Sequence, residues 1–141
     1  MAQIQSRLDP HSEAFARNRA AMLTAIEQVR QLEQNLLNKA AEAKAKFDKR
    51  GQLLPRERLN LLLDPGAPFL ELASLAGYKL HDDKDGSAAG GGLIAGIGYV
   101  SGIRAMVVAN NSAIKGGTIS PSGLKKSLRL QQIAQENKLP V

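Results

Sequence analysis

The chain has 141 residues, a length typical of one domain with a modest hydrophobic core. It has no cysteine and no stretch with the pattern of a membrane span or a signal peptide. This excludes disulfides and thiolate metal sites and predicts a soluble cytoplasmic protein with no membrane partner. The formal charge is +6, and residues 86–141 hold six basic residues and one acidic residue. Tyr99 is the only aromatic residue in that stretch, however, so base stacking and a nucleic-acid partner are not predicted.

A long amphipathic helix is predicted in the N-terminal third of the chain. Gly and Pro are absent from about Ser12 to Phe47, and Lys49-Arg50-Gly51 ends the segment. Apolar residues recur along it at three- and four-residue spacing: Met22, Ile26, Val29, Leu32, Leu36 and Ala40. A helix of this length packs either on its own core or on another subunit or domain, and the sequence leaves both alternatives open.

A short helix and a strand are predicted next. Proline at the first position and the stop sequence Asp64-Pro65-Gly66 delimit a helix from Pro55 to Leu63. The apolar alternation of Phe69-Leu70-Glu71-Leu72 indicates a strand.

The polar connection over residues 73–89 contains His81-Asp82-Asp83-Lys84-Asp85, whose side chains include metal-ligand types. No second cluster accompanies them, and turn-forming residues surround them, so an exposed loop without a metal is predicted. Neither His11 nor His81 has a Ser or Cys partner that indicates a triad, and nucleophilic catalysis is not predicted.

Two strands joined by a tight turn are predicted over residues 93–109. In the first strand, Ile94, Gly96, Gly98 and Val100 share one face, where the glycines permit close approach of another backbone. The pair Ser101-Gly102 is typical of a two-residue hairpin turn, so the strands are expected to be antiparallel. The second strand, Ile103 to Ala109, is apolar on both faces, which predicts that it is covered on both sides and lies deep in the fold.

A loop and a second long helix are predicted after the hairpin. Ser120 and Pro121 are typical of a helix start, and the helix is predicted to run to about Asn137. Two apolar stripes predict that it is sandwiched between layers. The stripes are Leu124 with Leu128, and Leu130 with Ile133 and Ala134; Lys125, Arg129 and Gln132 mark the exposed strip. Taken singly, the basic residues Lys125, Lys126, Arg129 and Lys138 are typical of a solvated helix face.

The loop Lys115-Gly116-Gly117-Thr118 is the strongest candidate site. A glycine pair between a strand and a helix start can present backbone N–H groups, beside a lysine, to an anion or a developing oxyanion. The alternative is a turn that needs glycine only for its positive φ.

Several motifs, in order and spacing, resemble the start of a carboxyltransferase β subunit of a biotin-dependent acyl-CoA carboxylase, in the branch acting on 3-methylcrotonyl-CoA and geranyl-CoA. The similarity runs from about Ala14 to Val141. The motifs are Pro55-Arg56-Glu57-Arg58-Leu59, Phe69-Leu70-Glu71-Leu72, Gly96-Ile97-Gly98-Tyr99-Val100-Ser101-Gly102, Val107-Val108-Ala109-Asn110, Lys115-Gly116-Gly117-Thr118 and Lys125-Lys126-Ser127-Leu128-Arg129. The resemblance implies an α/β, crotonase-like fold in β/α layers. Residues 1–52 would be an N-terminal helical extension, and residues 53–141 the first, incomplete part of the N-terminal crotonase-like domain.

The resemblance also implies a reaction, in which a carboxyl group moves from carboxybiotin to the γ carbon of a 3-methyl-2-enoyl-CoA. Lys115, Gly116, Gly117 and Thr118 would line the acyl-CoA site, whose phosphates suit the basic charge. No catalytic side chain and no metal are expected here, because biotin itself is thought to be the base and the oxyanion donors lie beyond Val141. Biotin is expected on a partner α subunit, whose biotin carboxylase uses ATP and bicarbonate, and the β subunits are expected to form a homo-oligomer, a hexamer in this family.

Geranyl-CoA is predicted over 3-methylcrotonyl-CoA, because Asn111 and Ile119 resemble the geranyl enzymes. Alternatives are another acyl-CoA, such as propionyl-CoA, or an assembly module without its own activity. These residues alone are expected not to carboxylate, and to leave the strand 103–109 without a neighbour and one stripe of the helix 121–137 uncovered.

Overall fold

The computed structural model describes Ser6, residues 8–80 and residues 83–141. The chain divides into two compact units, residues 1–34 and residues 35–141. The first long helix, α1, spans Glu13–Ala41. Ser12 begins it, because the Ser12 hydroxyl accepts a hydrogen bond from the Phe15 N–H at 3.2 Å. Met22 and Val29 are exposed, and Ala40 is buried.

The predicted helix over residues 12–47 is in fact two helices, because α2 spans Lys44–Asp48. Between them the hydrogen bonding tightens: the Ala43 N–H donates to the Ala40 carbonyl, three residues back, at 3.3 Å. No Gly or Pro marks this interruption, so the continuous helix expected from the sequence was wrong at this point. Gly51, at φ +64°, follows the end of α2 as predicted.

The short helix α3 spans Pro55–Leu62, one residue less than predicted. Glu57 caps its start, accepting a hydrogen bond from the Leu54 N–H at 2.7 Å and pairing with Lys44 at 2.8 Å. The strand β1 is reduced to Leu70–Glu71. Arg56 ties α3 to β1 with two parallel 2.9 Å hydrogen bonds to the Glu71 carboxylate.

An antiparallel hairpin of β2 (Leu93–Val100) and β3 (Ile103–Asn110) confirms the predicted pairing. Ser101 and Gly102, at φ 52° and 77°, form the turn, as a type I′ hairpin requires. The Asp64 carboxylate accepts hydrogen bonds from both turn N–H groups, each at 2.7 Å. The sheet order is β1-β2-β3, so β2 is central.

Helices cover both faces of β2. On one face, Ala95 and Met106 pack with Leu130 and Ala134 of α4, which spans Pro121–Glu136. On the other, Ile94 and Val107 pack with Leu59 of α3. A Cβ at Gly98 would lie 2.6 Å from the Leu63 side chain, and one at Gly96 would lie 2.6 Å from the Phe69 ring. An added Cβ at Gly96 would also collide with the Leu70 carbonyl oxygen, which confirms the close backbone approach predicted for this glycine face.

The strand β3 does not lie as deep as predicted. Met106 and Val107 are buried at its centre, but Ile103 is 61% exposed and Val108 is 41% exposed. The reason is that, among the described residues, β3 pairs with no strand other than β2, apart from one 2.8 Å hydrogen bond from the Met106 N–H to the Pro140 carbonyl.

The sandwiched position predicted for α4 requires both apolar stripes to be covered, and within the described residues only one of them is. The stripe containing Leu130 is buried, but Leu124 and Leu128 are each 58% exposed. One uncovered stripe on α4 and an edge position for β3 agree with the expectation for these residues alone.

Candidate functional site

The Lys115–Thr118 loop begins five residues after β3 ends and contains one turn of 3-10 helix over Lys115–Gly117. Three successive residues are left-handed, with φ of 47° at Lys115, 66° at Gly116 and 81° at Gly117. The Gly117 N–H donates to the Ile114 carbonyl at 3.1 Å, and the Thr118 N–H donates to the Lys115 carbonyl at 3.3 Å. Among the described residues, no acceptor is recorded for the Gly116 N–H. One of the two glycine N–H groups is therefore open to a ligand.

Gly116 and Gly117 line a groove between α3 and the β3 edge, with a volume of about 680 Å³. This α3–β3 groove is large enough for a small-molecule ligand. A Cβ at Gly116 would meet no atom within 4 Å, so the space beside this residue is open. The remaining lining residues are Pro55, Arg58, Leu59, Leu62, Val107, Val108, Ala109, Asn110 and Ser112.

The structure separates the four predicted site residues. Gly116 and Gly117 face the α3–β3 groove, whereas Lys115 and Thr118 line a separate cavity of about 20 Å³ beside Ser120. A cavity of that size holds one water molecule and no larger ligand. The loop therefore contributes its glycines to the large groove, and Lys115 and Thr118 are not among the residues that line it.

A second glycine segment supports this loop. The triple-glycine turn Gly90–Gly92 precedes β2, and its residues have φ of 98°, 66° and 76°. A Cβ at Gly91 would lie 2.5 Å from Cα of Gly123, and one at Gly92 would lie 2.5 Å from the Thr118 carbonyl oxygen. The Asn111 N–H donates to the Gly92 carbonyl at 2.8 Å. Both ends of the segment that carries the Lys115–Thr118 loop therefore contact this turn.

Lys126 is buried, with 5% of its surface exposed, which contradicts the solvated face predicted for it. Its Nζ donates to the Leu93 carbonyl at 2.8 Å and to the Gly90 carbonyl at 3.2 Å. Burial lowers the pKa of Lys126 to about 8; Glu71 opposes this shift and Arg56 adds to it.

The helical spacing contained a signal for this burial. Gly123, Leu130 and Ala134 are the other buried residues of α4. Lys126 lies three residues after Gly123 and four before Leu130, and therefore on the same face. Lys125, next in sequence, is exposed as predicted.

The polar loop with the potential metal ligands His81-Asp82-Asp83-Lys84-Asp85 is only partly described, because His81 and Asp82 lie outside the described residues. The buried Asp83 carboxylate accepts hydrogen bonds from the Ala88 N–H at 2.8 Å and the Lys79 N–H at 3.2 Å. Hydrogen bonds from the Ser87 N–H and hydroxyl lower the pKa of Asp85. Within the described ranges, no group of three potential metal ligands occurs. In the same part of the chain, no helix has the length and hydrophobicity needed to cross a bilayer.

The profile of the carboxyl transferase domain family matches residues 46–141. The chain belongs to this family. The resemblance seen in the sequence motifs is thereby confirmed, and so is the crotonase-like α/β fold with a long N-terminal helix.

Relatives of this carboxyl transferase chain include a probable methylcrotonoyl-CoA carboxylase β chain of Drosophila melanogaster. It is 41% identical over 138 residues, which are 97% of this chain and 24% of the relative. A 3-methylcrotonyl-CoA carboxylase β1 subunit of Mycobacterium tuberculosis is 50% identical over 98 residues, covering 70% of this chain and 18% of the relative.

A solved structure, the β subunit of geranyl-CoA carboxylase from P. aeruginosa, is 72% identical, with a TM-score of 0.88. The match covers 98% of this chain and 26% of that one. The chain therefore spans about a quarter of the length of the first relatives it matches.

Proposed function

We propose that this chain is the N-terminal part of a carboxyltransferase β subunit of a biotin-dependent acyl-CoA carboxylase. The observation that carries the proposal is the 72% identity to the geranyl-CoA carboxylase β subunit over 98% of the chain. The carboxyl transferase profile, which begins at residue 46, supports a division into an N-terminal helical extension, residues 1–52, and the start of the crotonase-like domain, residues 53–141. We further propose a cytoplasmic protein.

In this proposal the acyl-CoA thioester lies in the α3–β3 groove. The open space at Gly116 admits a ligand close to the backbone, and the Gly116 N–H is available to donate to its carbonyl oxygen. One such backbone donor is typically worth about 3 kcal/mol to a developing oxyanion. Arg58 adds a positive charge to the groove lining, which suits the phosphates of coenzyme A.

The proposed partners are a biotin-carrying α subunit with biotin carboxylase activity, which uses ATP and bicarbonate, and further copies of the β subunit. Carboxybiotin on the α subunit would supply the carboxyl group and take up the substrate proton. The task of the described residues is to bind and orient the acyl-CoA, and we assign none of them to holding biotin.

Geranyl-CoA is the proposed substrate in preference to 3-methylcrotonyl-CoA. The identity is 72% to the geranyl enzyme but 41% and 50% to the methylcrotonyl relatives. The glycines of the groove leave room for a longer acyl chain. Asn111 and Ile119, which resemble the geranyl enzymes, precede and follow the Lys115–Thr118 loop in sequence; Asn111 is buried, and Ile119 is 52% exposed.

The test is a steady-state assay of the assembled carboxylase with geranyl-CoA, 3-methylcrotonyl-CoA and propionyl-CoA. We expect the highest kcat/KM with geranyl-CoA. Gly116→Val and Gly117→Val are expected to reduce it by on the order of a hundredfold, because a β-branched side chain is strained at positive φ and intrudes on the thioester. Lys138→Ala is the control, since Lys138 is exposed at the far end of α4. Equal activity of all three variants would exclude the loop from the site, and a higher kcat/KM with another acyl-CoA would refute the geranyl preference.

A second function, docking through α1, is favoured by the exposed apolar residues Met22, Ile26 and Val29. Replacing all three with Ser is expected to weaken assembly of the carboxylase, measured by sedimentation. Unchanged assembly would exclude this role.

A further inference from the structure

Lys126 makes an unusual set of contacts for a buried cation. Its two recorded hydrogen-bond acceptors are the backbone carbonyls of Gly90 and Leu93, and no ion pair to it is recorded among the described residues. Burying an ammonium group without a carboxylate is unfavourable unless backbone acceptors compensate for the lost water. A residue such as Met would fill the same volume without that penalty, so packing alone does not account for a lysine here.

The two carbonyls belong to Gly90, the first residue of the triple-glycine turn, and to Leu93, the residue that follows the turn. Lys126 therefore holds both ends of the turn to α4, at a point one helical turn beyond Gly123. At the turn itself, Gly91 packs against Gly123 so tightly that neither position has room for a Cβ. The side-chain hydrogen bonds and the backbone contact together fix the turn against the helix.

The triple-glycine turn also contacts the segment that carries the Lys115–Thr118 loop, both before the loop and at its end. Gly92 accepts a hydrogen bond from the Asn111 N–H, before the loop, and packs against the Thr118 carbonyl, at its end. Within the loop, the recorded backbone hydrogen bonds join Gly117 to Ile114 and Thr118 to Lys115. Because Gly92 contacts the chain before the loop and at its end, the turn supports the position of the loop relative to the α3–β3 groove.

We infer that Lys126 is a positioning residue for acyl-CoA binding, acting through the triple-glycine turn to hold the Gly116 and Gly117 backbone at the groove. This inference rests on the function proposed above. It predicts that the charged ammonium, which donates the stronger hydrogen bonds, holds the loop better than the neutral amine.

The charge on Lys126 changes in an accessible pH range. Its pKa is lowered to about 8, chiefly by burial, and the charged groups that act on it are Glu71 of β1 and Arg56 of α3. Arg56 and Glu71 pair with each other at 2.9 Å and act on the pKa of Lys126 in opposite directions, so burial is the main cause of the shift.

The test compares Lys126→Met with Lys125→Met, its exposed neighbour, in the assembled carboxylase with geranyl-CoA at pH 7 and pH 9. At pH 7, Lys126→Met is expected to lower kcat/KM by on the order of tenfold, mainly through KM, because the loop is displaced. At pH 9 the difference in kcat/KM between the wild type and Lys126→Met is expected to be smaller, since Lys126 of the wild type has also lost its charge. Lys125→Met is expected to match the wild type at both values.

A second measurement does not depend on activity. Amide hydrogen exchange at Asn111 and Thr118 is expected to accelerate about tenfold in Lys126→Met at pH 7, with exchange at Val107, which is paired with Gly96 of β2, unchanged. The melting temperature is expected to stay equal or rise, because a buried charge has been replaced by an apolar side chain.

Three outcomes would overturn the inference: unchanged exchange at Asn111 and Thr118, an equal kinetic deficit at both pH values, or a lowered melting temperature that accompanies the loss of activity. If the wild-type enzyme carboxylates no acyl-CoA, the proposed function fails, and the exchange measurement still decides whether Lys126 positions the loop.

Discussion

Two glycine segments, Gly90–Gly92 and Gly116–Gly117, have the same left-handed backbone but different surroundings. In the first, a Cβ at Gly91 or Gly92 would lie 2.5 Å from the backbone of a neighbouring segment. In the second, a Cβ at Gly116 would meet nothing within 4 Å, and one at Gly117 would lie 3.3 Å from Ser112. The first segment needs glycine for both conformation and space. In the second, Gly116 is needed for conformation alone, whereas a Cβ at Gly117 would also make a tight contact with Ser112.

The difference separates packing from binding. The space beside Gly91 and Gly92 is filled by the backbone of α4 and of Thr118, so these glycines allow the segments to pack closely. Space beside Gly116 opens into the α3–β3 groove, where no described residue uses it. Substitutions in the first segment should therefore damage mainly stability, and substitutions in the second should damage mainly ligand binding.

The largest change in the free energy of unfolding is expected for a substitution at Gly123, the residue of α4 that packs against Gly91. Alanine is favoured over glycine in a helix by about 1 kcal/mol, so Gly123→Ala would be stabilising if the site were open. Here the added Cβ would collide with the Gly91 carbonyl, and we expect destabilisation by roughly 3 kcal/mol or more. Urea unfolding of the complete subunit measures this, with Lys125→Ala in the same helix as the control. A stabilised Gly123→Ala variant would show that the two backbones are not in tight contact.

A somewhat smaller change in the free energy of unfolding is expected when Lys126 titrates. The pKa of Lys126 is about 8 in the folded protein and 10.5 when unperturbed. Between these values the unfolded chain binds more protons, so stability rises with pH across the window from about 8 to 10.5. Below pH 8 the full penalty for burying the charge is present, of the order of 3 kcal/mol.

The measurement is the free energy of unfolding against pH, taken as the difference between wild type and Lys126→Met so that other titrations cancel. As pH rises from 8 to 10.5, the wild type is expected to gain stability relative to Lys126→Met. A constant difference would show that Lys126 is not buried as a cation.

The Gly116→Ala variant tests the effect of backbone strain without the steric collision that is expected in Gly123→Ala. Gly116 has a left-handed backbone, with φ of +66°, but open space beside it. The substitution should therefore lower the free energy of unfolding by about 1–2 kcal/mol, through backbone strain alone. Gly116→Asn should cost less, because Asn tolerates this conformation better. If Gly116→Ala destabilises as much as Gly123→Ala in the same unfolding experiment, the distinction between the two glycine segments fails.

Most of the regular elements could be predicted from the sequence because their signals are local. Pro55 and Pro121 mark helix starts, and Ser101-Gly102 has the chemistry of a hairpin turn. The break at Ala43 could not be predicted, since no residue there disfavours helix and the change is one tightened hydrogen bond.

The candidate site was harder to predict, because its support comes from distant parts of the chain. The contact of Gly91 with Gly123 and the hydrogen bonds of Lys126 to Gly90 and Leu93 join residues more than thirty positions apart. Motif resemblance located the Lys115–Thr118 loop but not which of its residues face the groove. That division follows from the direction of the backbone at Gly116, which no local pattern specifies.

The smallest effect is expected at Lys138, a left-handed position where a side chain is already present. Lys138 has φ 52° and directly follows Asn137, the C-cap residue of α4. The Leu139 N–H donates to the Ala134 carbonyl at 2.8 Å and the Lys138 N–H to the Gln135 carbonyl at 3.2 Å, which is a Schellman motif. Glycine is the preferred residue there, so Lys138→Gly should stabilise the protein by roughly 0.5–1 kcal/mol, measured by urea unfolding. Lys138→Ala keeps the Cβ and should leave stability unchanged. A loss of stability in Lys138→Gly would mean that the lysine side chain contributes more than its backbone strain costs, and the strain assigned to Gly116→Ala would then need the same revision.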